Sequence, residues 1–274
     1  VTTKENVEVA VESAHSFGDG LFNASLIKAI SEKYKSKVTV AVRPHCADAF
    51  DNLPFVDKVV IIQEMGEGTQ LLANLGYKNV YQITQNIKFM QFKSFDKNHS
   101  LVNTPLMTGM QLGIDYFDQR PIFIPSEKEL KAPLKIEHDK PIIAIESVYT
   151  SSQSWAKKKH FDTIVEKFQD THKILWLSNE GCPKNKNIDD MLRFTRRECI
   201  CCLSLCEYFF SVGSGFFCAS LALPKSQQPK NTICLWEDNL YKYKDVLNEK
   251  QWNPNITWVE DEQEFLNTIT NIRN

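Results

Sequence analysis

The chain has 274 residues, a formal net charge of -2, 42% hydrophobic and 24% charged residues, the balance of a folded globular protein and not of a disordered or fibrous one. At roughly 100 to 200 residues per domain the length suits two modest domains or one large one, and the near-neutral charge removes a general electrostatic case for a nucleic-acid partner. No apolar run approaches the ~20 residues of a bilayer-crossing helix, and the first residues lack the charged, apolar and small-residue sections of a secretory signal, so a cytoplasmic chain is expected.

In chain order, the apolar spacing predicts a strand over Val7 to Val11, a glycine turn over Ser13 to Gly20 and a helix over Leu21 to Tyr34. A strand over Lys37 to Val42, a helix over Ala47 to Asn52 and a β-branched strand over Val56 to Ile62 follow. Thr69 to Leu75 reads as a helix stopped by Gly76, and Asn79 to Ile83 as a further strand. Strands alternating with helices predict a parallel sheet covered on both faces. Beyond Thr84 the pattern blurs. Asn86 to Phe95 is aromatic and basic, which fits an acceptor site or a peripheral contact with a bilayer surface, and Pro105 to Leu112 reads as helical.

Pro121, Pro125, Pro133 and Pro141 mark the connection between two domains, 1–130 and 131–274. The second half repeats the logic of the first. Strands are expected at Ile142 to Ile145, Lys173 to Leu177, Tyr208 to Val212 and Thr232 to Trp236. Helices are expected at Phe161 to Phe168, Ile188 to Arg197, Cys199 to Leu205 and Glu262 to Ile272, the last of them free to pack back on the first domain. Two doubly wound halves are expected to bind ligand at the carboxyl ends of their strands.

Eight cysteines lack the even spacing of a disulfide scaffold, so reduced thiols are expected. Cys199, Cys201, Cys202 and Cys206 invite a zinc reading. The segment is apolar and has no CxxC knuckle, and small buried side chains explain it better.

Tyr208 to Leu223 reads as an apolar strand, the turn Gly213-Ser214-Gly215 and a helix. Glycines let the backbone approach a bound group, and the first amides of a helix favour a phosphate. An ordinary strand-to-helix connection would look the same. After the strand Ile142 to Ile145 come Ser147, Ser151, Ser152, Ser154, Trp155 and Lys157-Lys158-Lys159, hydroxyls and ammonium groups that suit a pyrophosphate as well as a solvated face. Glu180, past the strand Lys173 to Leu177, is placed to meet a ribose or a base, and Trp236-Glu237-Asp238 closes the last strand.

Three stretches taken together, Gly18-Asp-Gly-Leu-Phe-Asn-Ala24, Leu53-Pro-Phe-Val-Asp-Lys-Val59 and Phe210 to Leu223, with Ser147 to Phe161 between them, resemble the bacterial heptosyltransferase family of glycosyltransferases. The resemblance implies the GT-B fold, an α/β architecture of two Rossmann-like doubly wound domains facing a central cleft. It implies an inverting transfer from a nucleotide-sugar donor to a hydroxyl of a glycan, glycolipid or protein, with no metal and no cofactor. Asp19 maps onto the base that takes the acceptor proton, and His15 on the same loop is a competing base. Gly18 and Gly20 fall on the acceptor side, and Gly213, Ser214, Gly215, Ser151, Ser152, Lys157, Lys158 and Glu180 on the donor side.

The sequence departs from the family at three places. Gln153 stands where a lysine precedes the tryptophan, Gly213 where an acidic residue opens the turn, and Cys218 where a histidine follows. These departures keep two rivals open: a non-catalytic nucleotide-sugar-binding protein, and a nucleotide-sugar epimerase of the same architecture.

Overall fold

The computed structural model describes residues 8–13, 16–64, 66–83, 112–114, 118, 120–147, 154–178, 181–236 and 255–272. The chain forms two compact units, Val1–Ile124 and Pro125–Asn274. The stretch 86–95 and residues 105–111 of the expected helix 105–112 lie outside the described residues, as do His15, Ser151, Ser152, Glu180, Glu237 and Asp238. No helix among the described residues is long and apolar enough to cross a membrane.

The first unit contains β1 (Val9–Glu12), α1 (Phe17–Tyr34), β2 (Val38–Val42), a 3-10 segment (Pro44–Phe50), β3 (Val56–Ile61), α2 (Glu67–Asn74) and β4 (Asn79–Gln82). Its four strands lie in the order β3-β2-β1-β4, and every pair is parallel. β1 and β2 are buried along their whole length, the unbroken apolar pattern of strands covered on both faces. Leu21, Leu26, Ile27 and Ile30 of α1 are fully buried, and Leu72 of α2 packs with Ala10, Ala41 and Ile62. Gly76, at a φ of 93°, ends α2 as expected.

The start of α1 departs from expectation. The helix begins at Phe17, four residues before Leu21, so Gly18, Asp19 and Gly20 belong to its first turn and not to a loop. Two glycines cost a helix roughly 1 kcal/mol each, and the N-cap offsets part of that. Ser16 Oγ accepts from the Asp19 N–H at 3.3 Å and donates to Asp19 Oδ2 at 2.6 Å. A Cβ on Gly20 would lie 2.7 Å from Ala49 Cβ, so close packing on the 3-10 segment accounts for this glycine.

The second unit contains a 3-10 segment (Glu129–Lys135), β5 (Ile142–Ile145), α3 (Lys158–Phe168), β6 (Lys173–Trp176), β7 (Ile188–Asp190), α4 (Arg196–Cys202), β8 (Cys206–Ser211), α5 (Gly215–Ala222), β9 (Asn231–Leu235), β10 (Ile256–Val259) and α6 (Glu262–Asn271). The six strands are parallel in the order β10-β9-β8-β5-β6-β7. Counted within this unit the order is 6-5-4-1-2-3, that of a doubly wound dinucleotide-binding sheet. Phe161, Ile164 and Phe168 of α3 pack on Ile143, Ile145, Trp176 and Phe210, and Phe168 stacks with Tyr208 at 6.4 Å. Phe265 and Ile269 of α6 enter this same core, so the last helix packs within its own unit. The segment Glu129–Lys135 is tied in by Arg197, whose Nε and Nη2 donate to the Glu129 carboxylate at 2.7 and 3.2 Å.

The helix expected over Ile188 to Arg197 is absent. Ile188 pairs with Ile174 as an edge strand, the Asp190 side chain accepts from Leu192 N–H to turn the chain, and a Thr195/Glu198 capping box opens α4 one turn later. β10 was not expected, although Ile256-Thr-Trp-Val259 has the composition of a strand. Cys199, Cys201, Cys202 and Cys206 are buried, as the apolar segment leads one to expect. Burial pushes the thiols of Cys199 and Cys202 up to about 12, so they remain protonated.

Candidate functional site

In each sheet the strand order reverses beside the central strand, and ligands of doubly wound sheets bind outside the carboxyl ends at that reversal. In the second unit the reversal falls between β5 and β8, which places Glu146 and Ser147 next to Val212, Gly213 and Ser214.

The turn after β8 is built by exclusion. Gly213 has a φ of 70°, and a Cβ there would lie 2.2 Å from the Trp236 ring. No side chain fits, which explains the glycine where the heptosyltransferase resemblance leads one to expect an acid. Trp236 is held in turn by an edge contact with Trp258, with ring centroids 5.9 Å apart. Ser214 is the N-cap of α5 and accepts from Phe216 N–H at 3.3 Å. Gly215 opens the helix. The N–H groups of Gly215 and Phe217 meet no acceptor among the described residues, which leaves two main-chain donors at a helix N-terminus.

Beneath this turn lies a carboxylate that sequence reasoning passed over. Glu146 is fully buried; its Oε2 accepts from Ser211 Oγ at 2.6 Å and its Oε1 from Ser214 Oγ. Burial raises its pKa from 4.5 to about 7, while the Ser211 hydroxyl and the N–H groups of Val212 and Phe216 pull it back down. The next residue, Ser147, is equally buried, and its hydroxyl has no hydrogen-bond partner among the described residues. The hydroxyl is thus buried without a partner among the described residues, at the same strand reversal as the two amides.

The loop between β5 and α3 ends in fixed anchors. Ser154 Oγ donates to Leu235 O at 2.7 Å, and Trp155 Nε1 donates to Val259 O at 2.9 Å. Lys157 N–H donates to His160 Nδ1 at 2.8 Å, and burial holds the His160 pKa below its usual value. Of the lysines expected on the donor side, Lys158 pairs with Asp162 at 2.6 Å and its neighbour Lys159 with Glu262 at 2.5 Å. Lys157 is exposed and forms no ion pair among the described residues. Cations at a helix N-terminus oppose the helix dipole, and these two ion pairs offset that.

The first unit repeats the arrangement with a different outcome. Ala10-Val-Glu-Ser13 ends β1 as Ala144-Ile-Glu-Ser147 ends β5. Here too the glutamate is buried beneath a helix start: Glu12 accepts from the Gly66 N–H and, at 2.8 Å, from the N–H and the hydroxyl of Thr69. Gly68 is obligatory, because a Cβ would lie 2.9 Å from Glu12 Cγ. Unlike Ser147, Ser13 is satisfied, by Asn23 Nδ2 at 3.0 Å. Asp19, half-buried in the first turn of α1, stands just beyond this strand end with its carboxylate on the Ser16 hydroxyl. The repeat A-[V/I]-E-S was legible as a signal for both strand ends.

The fold defined by these two sheets is the GT-B fold, two Rossmann-like α/β units. Among solved structures the chain is similar to the ADP-heptose LPS heptosyltransferase II of E. coli, at 12% identity with a TM-score of 0.60, covering 96% of this chain and 98% of that one. It is similar to a family 9 glycosyltransferase of Veillonella parvula (10% identity, TM-score 0.59, 97% and 99% covered) and to the E. coli heptosyltransferase WaaC solved with ADP (10% identity, TM-score 0.59, 94% of each chain). The sequence itself matches no protein-family profile and no curated protein.

Proposed function

We propose that the protein is a glycosyltransferase that moves a sugar from a nucleotide-sugar donor to a hydroxyl of a glycan, glycolipid or protein, with inversion, in the cytoplasm and without a metal. The observation that carries this reading is the turn 213–215 at the strand reversal of the second sheet, with two unpaired helix amides and the orphan Ser147 hydroxyl beside it. On this reading the Gly215 and Phe217 amides bind the donor diphosphate, with Lys157 and the serines 151 and 152 as further contacts. Asp19, or His15, takes the proton of the acceptor hydroxyl as its oxygen attacks the anomeric carbon. The bond from that carbon to the phosphate oxygen breaks on the opposite face, and the nucleoside diphosphate leaves with the electron pair.

For Asp19 to act as base its carboxylate gives up the Ser16 hydroxyl or shares it, since a carboxylate oxygen accepts more than one hydrogen bond. The first test is a thermal-shift screen against ADP-, UDP- and GDP-sugars, beginning with ADP-sugars because the similar WaaC was solved with ADP. Transfer assays with the sugar that stabilises the protein come second. Asp19→Asn should lower turnover at least 100-fold or so with donor affinity nearly unchanged. Donor binding with no turnover on any acceptor would instead favour the non-catalytic reading.

A further inference from the structure

Glu146 takes no part in the transfer just outlined, yet a fully buried carboxylate is expensive to keep. Its hydrogen-bond donors among the described residues are all at the donor-side turn. Ser211 and Ser214 donate to its two oxygens, and the N–H groups of Val212 and Phe216 also favour its ionised form. The Gly213 N–H donates to Ser211 Oγ at 3.3 Å, so the same hydroxyl links the carboxylate to the glycine of the turn. The carboxylate is thus held by the main-chain and hydroxyl donors of the segment that, on the reading above, receives the phosphates.

No cation among the described residues offsets it. The charged residues on the adjoining strands, Lys173 on β6 and Glu207 on β8, sit at the amino ends, alongside Ile142 and away from Glu146. On β9, Cys234 stands opposite Ser211, and α5 carries Cys218. Glu180, past the end of β6, lies outside the described residues.

We propose, resting on the donor-site reading, that Glu146 is a positioning residue that couples diphosphate binding to a proton. When neutral it orders the turn without opposing the ligand. When ionised it sets a like charge beneath the incoming phosphates, and binding then draws a proton from solvent. Burial has already brought the group to the point where it responds, since its pKa is raised to about 7. A diphosphate above it raises that value further. Linkage fixes the sign: binding is tighter at pH 6 than at pH 8. It also bounds the size at about tenfold, because only the pH span above the pKa of the free protein contributes.

The test measures ADP-glucose binding to the full chain by calorimetry at pH 6, 7 and 8, in two buffers of different ionisation enthalpy. This diphosphate is esterified at both ends and does not titrate in that range. The wild-type protein should bind about five- to tenfold more weakly at pH 8 than at pH 6, with proton uptake on binding at the higher pH. Glu146→Gln should bind with less than about a twofold change across the range. Ser211→Ala removes a donor that favours the charged form and should move the midpoint of the pH dependence upward, which keeps the idea testable if the glutamine variant fails to fold. The same pH slope in wild type and Glu146→Gln, or an unmoved midpoint in Ser211→Ala, would overturn it. If ADP-, UDP- and GDP-glucose all fail to bind wild type at every pH, the donor-site reading falls and this inference with it.

Discussion

Replacing Glu146 by glutamine should change how the stability of the second unit responds to pH. With its pKa raised from 4.5 to about 7, the folded protein holds a proton on Glu146 through a range in which the unfolded chain has already released it. Stability therefore falls as pH rises from about 4.5 and levels off above about 7, and the gap is worth about 3 kcal/mol at ~1.4 kcal/mol per decade of pH. Glutamine cannot ionise and keeps the shape of the neutral acid, so the variant should gain on wild type by about 2 to 3 kcal/mol between pH 5 and pH 8. Other carboxylates titrate in both proteins and cancel in the difference. All five tryptophans lie beyond residue 150, so urea unfolding followed by tryptophan fluorescence reports on the second unit alone. The variant's urea midpoint should rise against wild type by about 1 to 2 M from pH 5 to pH 8. A difference between the two midpoints that stays constant over that range would refute the argument and with it the claim that Glu146 is neutral in the folded protein near pH 6.

Gly213→Ala should cost about 2 to 5 kcal/mol, from left-handed backbone strain and from a methyl group driven into the Trp236 ring, and should displace the Trp236 emission; a loss under about 1 kcal/mol would mean the turn is soft. Glu12→Ala strands the Gly66 and Thr69 amides and the Thr69 hydroxyl, so about 2 to 4 kcal/mol of stability in the first unit and the exchange protection of the Thr69 amide should be lost together. Lys159→Ala removes only an exposed pair with Glu262 and should leave the denaturation midpoint close to that of wild type.

Much of the fold could be read from apolar periodicity, because parallel strands buried on both faces leave unbroken runs of valine and isoleucine. β2 and β5 were bounded this way to within a residue. The errors came where a local rule was outvoted. Gly18 and Gly20 have the look of a turn, but Ser16 caps a helix through them and Ala49 demands the missing side chain. Ile188 has helical neighbours by spacing, but a free edge beside Ile174 takes it as a strand. The candidate turn 213–215 was visible as a glycine pair, whereas the reason for its first glycine, the Trp236 ring 23 residues on, was not.

What the sequence determined by itself is the alternation of strand and helix, the two-part repeat and the glycine turn before α5, since these depend on neighbours a few residues apart. Tertiary structure alone decided that Glu146 and Ser147 lie against residues 211 to 216, some 65 positions later in the chain. The cause is the order of the sheet: β5 pairs with β8 and not with a strand next to it in sequence on that side, and this pairing puts Glu146 under the start of α5.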